Sequence, residues 1–167
     1  PEFSFAGPMG FDIGALIANL YLNYFSHAHQ SSAESVNYSQ WLLQTIGDLW
    51  TKFEAKFLSL WSEHEQFSQN TFMGKDSAGD SHHTFRHVFL QQVFSDTLGF
   101  AACKIIRRIL GVAKVADFMQ FEDQYLRAKL ETQALKMATT MLVNRQAYTN
   151  IADVNKLAKS VSSDTLK

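Results

Sequence analysis

The sequence contains one cysteine and two prolines, and neither sign of charge is in excess. A single thiol, Cys103, excludes an internal disulfide framework and fits a reducing compartment. A formal net charge of −1 gives no reason to expect nucleic acid or an anionic membrane as a partner. No apolar run approaches the roughly 18 residues of a transmembrane helix, and no secretion signal is recognisable. These absences predict a cytoplasmic protein that does not bind a membrane.

Proline is confined to the start of the chain, where Pro1 and Pro8 are accompanied by several glycines. These residues interrupt helices and favour turns. Phe3 and Phe5 alternate with small or polar residues, which is typical of the tail of a strand. No convincing β-alternation and no internal repeat follow residue 6. The sequence therefore predicts an all-α chain of four to six helices, with one strand remnant at its N-terminus.

Apolar residues recur at helical spacing through the rest of the chain. The run from Asp12 to Phe25 is apolar on more than one face, which predicts a central, buried helix with Asp12 as its N-cap. Further helices are predicted over about 36–66, 83–112, 114–119, 121–147 and 150–162. Gly111 is the expected stop of the third helix, and Asn150 is the expected cap of the last. The Ser/Gly/Asp-rich stretch 68–82 is predicted to be a long mobile loop.

Arg107 and Arg108 are adjacent in an otherwise apolar helical segment, CKIIRRILG. Neighbouring helical positions differ by about 100°, so at least one of the two side chains must leave the core side or be paired. One interpretation is two exposed surface arginines. The other is a fork of N–H donors for a hydroxylated or phosphorylated ligand.

Two carboxylates near the start of the chain are candidate functional groups. Glu2 follows a proline at a predicted strand end, where a carboxylate commonly holds Mg²⁺ against phosphates. The simpler interpretation of Glu2 is a solvated side chain. Asp12 is favoured as a helix cap, and the alternative is a buried acid that accepts N–H groups from another segment.

The histidines show no convincing metal-binding pattern. His83 and His87 are four residues apart with His82 beside them, a spacing that can hold a transition metal. No carboxylate or cysteine lies at ligand spacing on that helix face, so surface histidines are favoured. The same interpretation applies to His27 and His29, which lie in a predicted polar loop.

No catalytic motif of the hydrolase or dinucleotide-binding type is present. The chain contains no P-loop, no Gly-x-Gly-x-x-Gly and no Ser–His–Asp arrangement. Cys103 is expected to be a buried, inert thiol. The aromatic stripe along residues 41–61 is expected to be core rather than a ligand cage.

Two segments of this chain resemble segments of the 5-methylthioribose kinases. The stretch PEFSFAGPMGFDIGALIANL is similar to that family's D-P-E-F-x-F-x-G-P-x-G-F-D-[IV]-G-x-x-I-A-N-L. The stretch GFAACKIIRRILGVAKVADF is similar to its Gly-Phe-Ala helix, which bears an Arg–Arg pair and is followed by a Val-Ala-Asp turn. The two segments occur in the expected order, and the helices between and after them have compatible lengths. The resemblance therefore covers nearly the whole chain.

The resemblance implies a protein-kinase-like fold of the aminoglycoside phosphotransferase and choline kinase type, with this chain as the helical part of its C-lobe. It implies phosphorylation of 5-methylthioribose at the 1-hydroxyl in methionine salvage, with ATP and Mg²⁺ as cofactors. Pro1 and Glu2 match the end of the family's D-P-E nucleotide and metal site, with Glu2 as the Mg²⁺ ligand. Asp12 matches an aspartate expected to brace the catalytic loop, and Arg107 and Arg108 match the pair expected to contact the sugar. Family members are expected to be homodimers.

The chain departs from the family in what it lacks. It contains no H-G-D-L-H-type catalytic loop, no nucleotide-binding lobe and no aspartate before Pro1, so it is expected to be a fragment without activity of its own. Two alternatives stay open: another phosphotransferase of the superfamily, for choline, homoserine or an aminoglycoside, and a non-catalytic helical module for dimer contacts. The arginine pair argues against choline, since a cation calls for an acidic or aromatic site.

Overall fold

The computed structural model describes residues 5–67 and 78–163, with side chains described for 5–63 and 84–163. Within these ranges the chain forms six helices and no strand, which confirms the all-α prediction. The helices are α1 (Gly10–His27), α2 (Ala33–Phe67), α3 (Ala78–Leu110), α4 (Ala116–Met119), α5 (Gln124–Val143) and α6 (Ile151–Ser163). The predicted strand remnant falls mainly on residues 1–4, which lie outside the described ranges. None of the described helices is long and apolar enough to cross a membrane.

Helix α1 lies at the centre of the fold, as its apolar pattern predicts. It packs against α2, α3, α4 and α5. Several of its side chains have no exposed surface: Ile17, Ala18, Tyr21, Leu22 and Phe25. Burying a large apolar side chain of this kind stabilises a fold by about 1.5–3 kcal/mol. Helix α1 therefore organises the core on which the other helices depend.

Helices α1 and α3 approach each other unusually closely, through two glycines. A Cβ atom on Gly14 would lie 2.6 Å from the carbonyl oxygen of Thr97 and 3.0 Å from the amide nitrogen of Ala101. A Cβ on Gly10 would lie 2.7 Å from the amide nitrogen of Thr97. Because Gly10 lies beside Thr97 and Gly14 lies beside Ala101, the two helices run in the same direction.

The prediction that Asp12 caps α1 is wrong. The helix begins two residues earlier, at Gly10, and its N-cap is Met9, which makes no side-chain capping bond. The contact between Gly10 and α3 extends the helix backwards, a tertiary effect that the local sequence does not reveal. Asp12 lies instead in the first turn, where its negative charge is favoured by the helix dipole.

Helices α2 and α3 are joined along their far ends by aromatic side chains. Trp61 meets Phe85 and Phe89 edge to face, and Phe57 stacks on Phe89 with ring centroids 5.9 Å apart. Residues 68–77 of the predicted loop 68–82 lie outside the described residues. Its last five positions are wrongly predicted, since α3 already begins at Ala78. Once the aromatic face is packed, each added helical residue gains a backbone hydrogen bond despite a polar composition.

The smaller predicted features of the second half are largely confirmed. Helix α3 ends at Leu110, immediately before the predicted stop at Gly111. Asn150 caps α6, because its side-chain oxygen accepts a 3.0 Å hydrogen bond from the amide of Asp153. Helix α5 is shorter than predicted and starts after Asp123, whose carboxylate accepts bonds from the amides of Tyr125 and Leu126.

Buried polar side chains attach α6 to the core. The hydroxyl of Tyr21 donates a 2.8 Å hydrogen bond to Oδ1 of Asn155, and Nδ2 of Asn155 donates to the carbonyl oxygen of Leu43 at 2.9 Å. A second link joins the hydroxyls of Tyr24 and Ser162, 2.9 Å apart. These bonds connect α6 to α1 and α2 at fixed positions, in addition to its apolar packing.

We expect Tyr21→Phe to destabilise the fold by about 1–3 kcal/mol, because it leaves Oδ1 of Asn155 without a donor. Burial raises the pKa of Tyr21 well above its ordinary value. An unfolded tyrosine loses its proton near pH 10 while the buried one keeps it, so stability is lost as pH rises above about 10. Urea unfolding should show that the difference in free energy of unfolding between the unsubstituted protein and Tyr21→Phe is smaller at pH 11 than at pH 8.

The matched control for this prediction is Tyr125→Phe. Tyr125 is 91% exposed, so removal of its hydroxyl should change the free energy of unfolding by less than about 0.5 kcal/mol. A gap that stays constant or widens between pH 8 and pH 11 would contradict the proposed link between Tyr21 ionisation and stability.

Candidate functional site

The predicted arginine pair lies in the last turn of α3. Arg107 is exposed and Arg108 is half-buried, whereas Ile105 and Ile109 of the same stretch of helix are buried. The expectation that at least one arginine must leave the core side is therefore confirmed for Arg107. A helix C-terminus carries partial negative charge, which favours cations in this turn.

The chain folds back onto this turn directly after α3. The Gly111 amide donates a 2.9 Å hydrogen bond to the carbonyl oxygen of Arg107, and a side chain at position 111 would collide with that oxygen. Nη1 of Arg108 donates to the carbonyl oxygen of Ala113 at 3.2 Å, and Nζ of Lys114 donates to the carbonyl oxygen of Ile109. The segment after α3 is thus held against the arginine pair.

Arg108 keeps an unused donor inside this arrangement. Its Nε atom is buried and has no hydrogen-bond partner, and only Nη1 is engaged by the backbone. Neither Arg107 nor Arg108 forms an ion pair with an acidic side chain within the part of the chain that the structure describes. The described fold therefore leaves both guanidinium groups without an acidic partner, and the exposed Arg107 presents its N–H donors to solvent.

Lys104 belongs to the same face of α3 and was missed as a candidate in the sequence. It precedes Arg107 by three residues and Arg108 by four, so the three side chains lie within an arc of about 100°. Lys104 is half-buried, and burial together with the charges of Arg108 and Arg107 lowers its pKa. The spacing K-x-x-R-R is the signal that could have revealed this cluster.

The Val-Ala-Asp turn of the second motif has a structural position next to this site. Asp117 lies in α4, and its Oδ1 atom accepts a 2.6 Å hydrogen bond from Nδ2 of Asn23 in α1. Phe118, the next residue, is 1% exposed and joins the core. This turn therefore fixes the chain that leaves the arginine pair to the C-terminal half of α1.

The structure does not bring Asp12 to the arginine pair. Gly14 lies beside Ala101, so Asp12 is about level with Gly99, and Arg107 is eight residues further along α3, or about 12 Å. The Asp12 side chain is exposed and makes no hydrogen bond to the described residues. The interpretation of Asp12 as an acid buried by another segment is therefore not met within the described fold. Pro1 and Glu2, the predicted nucleotide and metal residues, lie outside the described ranges.

Of the histidines whose side chains are described, His29 and His87 are exposed, and His27, which ends α1, is half-buried. Within residues 5–67 and 78–163, no group of three or more His, Cys, Asp or Glu side chains could hold a metal ion. His27 contacts Tyr38 and His29 contacts Phe121 edge to face. Burial lowers the pKa of His29, against a smaller opposing effect of the hydrogen bond that its ring donates to the backbone of Ser26. The side chains of His82 and His83 are outside the described set.

The prediction of a buried Cys103 is wrong, because this thiol is exposed. Its neighbours Ala101, Ala102 and Ile105 are buried, but Cys103 lies on the side of α3 that no other described helix covers. The aromatic stripe 41–61 is largely packing, as expected: Trp50 is 5% exposed, although Trp41 is 55% exposed.

Comparison with known proteins extends these observations. No family model matches the chain. It is 38% identical over 168 residues to methylthioribose kinase 2 of Oryza sativa subsp. japonica, covering 98% of this chain and 39% of the relative. It is 36% identical over 169 residues to the methylthioribose kinase of Escherichia coli O45:K1 (strain S88 / ExPEC), covering 95% and 38%. For the methylthioribose kinase of Geobacillus sp. (strain WCH70), identity is 33% over 159 residues, covering 94% and 35%.

All three of these relatives are named as methylthioribose kinases, which are small-molecule kinases, and each matches nearly the whole of this chain. The chain is thus homologous to methylthioribose kinases over nearly its whole length, and it corresponds to the C-terminal part of those proteins. The chain spans 39% of the length of the rice protein, 38% of the E. coli protein and 35% of the Geobacillus protein.

Proposed function

We propose that the protein containing this chain transfers the γ-phosphoryl group of ATP to the 1-hydroxyl of 5-methylthioribose, a step of methionine salvage in the cytoplasm. The observation that carries this proposal is the similarity to methylthioribose kinases along 98% of the chain, including both of its motifs. We assign the chain to the C-terminal helical part of the kinase C-lobe, as residues 1–167 of a longer catalytic unit.

Arg107 and Arg108 carry the substrate-binding part of the proposal. In phosphoryl transfer the sugar oxygen bonds to the γ-phosphorus while the bond to the leaving ADP breaks, and the hydroxyl proton passes to a base. Catalysis of this step is mostly positioning and charge stabilisation. The exposed guanidinium of Arg107 presents N–H donors at one end of α3, and Arg108 adds a second positive charge beside it, which suits binding of a hydroxylated sugar and its growing phosphate.

The nucleotide and metal part of the proposal depends on the start of the chain. We assign ATP binding to Pro1 and Glu2, and Mg²⁺ binding to Glu2, by their match to the D-P-E motif. Mg²⁺ would neutralise phosphate charge at that place. Asp12, exposed in the first turn of α1, is proposed to brace a catalytic loop that this sequence does not contain. An exposed carboxylate at this position is available for such a contact.

A homodimer is also proposed. Large apolar side chains are exposed at both ends of the described fold, among them Phe85, Val88 and Leu60 on the α2–α3 pair, and Phe5 and Leu16 near the start of α1. Exposed apolar patches of this kind mark surfaces that associate. Analytical ultracentrifugation of the full-length protein would measure its mass in solution, and a monomer at micromolar concentration would contradict this assignment.

The function is tested by coupled assay of ADP release with ATP, Mg²⁺ and 5-methylthioribose. We expect turnover by the full-length protein and none by the isolated 167-residue chain, which contains no H-G-D-type loop. Measurable turnover by the isolated chain would contradict the assignment of its missing catalytic base. Preference of the full-length protein for choline, homoserine or an aminoglycoside would replace the substrate, and inactivity on all of them would favour a non-catalytic module.

A further inference from the structure

We propose that Lys104, together with Arg107 and Arg108, forms a phosphate-binding site in which Lys104 binds the phosphate group of the phosphorylated sugar. The inference rests on the proposed function for the identity of that sugar. The geometry that carries it is the placement of three cationic side chains on one arc of α3, where the described fold supplies no anionic partner. The ligand class is a monoanionic or dianionic phosphate ester.

The helix end accounts for only part of this cluster. The dipole favours cations in the last turn, and backbone carbonyl oxygens accept hydrogen bonds from Arg108 and Lys114. Lys104 is different, because it lies a full turn before that end and its ammonium group makes no hydrogen bond to the residues that the structure describes. Its nearest charges are the two arginines, which repel it.

Such a cluster costs stability unless an anion joins it. Like charges three or four residues apart on a helix destabilise it by about 0.2–0.5 kcal/mol per pair. The half-burial of Lys104 adds to the cost of its charge, and the pKa of its ammonium group is lowered accordingly. A bound phosphate would reverse both effects, since it supplies negative charge to all three side chains at once.

A second observation indicates a ligand that accepts hydrogen bonds. The Nε atom of Arg108 is buried without a partner, although buried donors are nearly always satisfied. A phosphate has several acceptor oxygens, and arginine binds it with two parallel N–H donors, whereas lysine adds a compact charge. Binding of one phosphate group to Lys104 and the exposed Arg107, with the Arg108 side chain turning so that its Nε atom becomes accessible, would account for both observations.

The test uses the full-length protein and isothermal titration calorimetry with two probes, 5-methylthioribose 1-phosphate and inorganic phosphate. We expect Lys104→Met to weaken binding of both probes about tenfold, in line with the loss of one charge-assisted hydrogen bond at a partly exposed site. Affinity for unphosphorylated 5-methylthioribose should change less than about twofold, because the sugar has no charge for Lys104 to bind. Lys104→Arg should retain phosphate binding.

The control variant is Lys52→Met, which removes an exposed lysine of α2 and should leave all affinities unchanged. If Lys104→Met lowers the melting temperature but no phosphate affinity, Lys104 is a structural cation and the inference is overturned. If Lys104→Met weakens binding of inorganic phosphate but not of 5-methylthioribose 1-phosphate, the assignment to the sugar phosphate is overturned. The full-length protein could also fail to phosphorylate 5-methylthioribose while Lys104→Met still weakens its binding of inorganic phosphate. That result would support the anion site and would refute only the proposed function.

Discussion

Replacing Gly14 by alanine is expected to lower the free energy of unfolding by about 3 kcal/mol. The added methyl group would lie 2.6 Å from the carbonyl oxygen of Thr97 and 2.9 Å from Cβ of Phe100. Both are rigidly placed atoms of α3, so α1 and α3 must separate. Overpacking of a core contact costs about 1–3 kcal/mol, occasionally more. The expected cost is at the upper end of this range because moving α1 away from α3 also disturbs the contacts of α1 with the other helices. Urea denaturation followed by circular dichroism measures the change in the free energy of unfolding.

The same substitution at Gly47 is the matched control. A Cβ atom there meets only Nδ2 of Asn155, at an ordinary contact distance of 3.9 Å. Gly47→Ala in α2 should therefore stabilise the protein by about 0.5–1 kcal/mol, because alanine is a better helix former than glycine. If Gly14→Ala stabilised the protein by a similar amount, the close approach of α1 and α3 would be refuted.

The second large effect is expected on activity. In the full-length protein, Arg107→Ala and Arg108→Ala should each lower kcat/KM for 5-methylthioribose by about tenfold to a hundredfold, because each removes a charged donor from the proposed sugar site. Lysine at either position should not restore full activity, since it lacks the planar pair of N–H groups. Steady-state kinetics with varied sugar and saturating ATP measures the effect.

The two arginines are also expected to differ. Arg107 is exposed, so its loss should leave the melting temperature nearly unchanged. Arg108 anchors the segment after α3 through Ala113, so its loss should lower both activity and melting temperature. Arg127→Ala on α5, which breaks only a partly exposed pair with Glu131, serves as the control and should change kcat/KM less than about twofold. A change below twofold in both Arg107→Ala and Arg108→Ala would show that the site is elsewhere.

Features that depend on neighbours in the sequence were predictable. Gly111 ends α3 and Asn150 caps α6, because each acts on backbone groups within a few residues. The central position of α1 was predictable as well, since a helix that is apolar all round can be stable only when other elements surround it. Arg107 and Arg108 could also be identified as candidate binding residues from the sequence, because charged side chains are rarely buried and these two interrupt an apolar helical segment.

Features that depend on residues distant in the sequence could not be predicted from the sequence. The cap assigned to Asp12 failed because Gly10 packs against Thr97, a residue of another helix. The expected burial of Cys103 failed because its small and apolar sequence neighbours turn to the core while its own side of α3 is left uncovered. Lys104 was overlooked because its significance appears only once the charges that surround it are known.

The sequence by itself determined that this chain is helical, that α1 is its core and that an arginine pair lies at the end of α3. It also carried the two motifs that relate the chain to methylthioribose kinases. Only the tertiary structure decided where α1 begins and that Arg107 is exposed while Arg108 is held by Ala113. It also decided that Lys104 lies beside them with no acidic partner among the described side chains. Helical periodicity is a local property of the backbone, whereas burial and charge pairing are decided by which helices come to lie together.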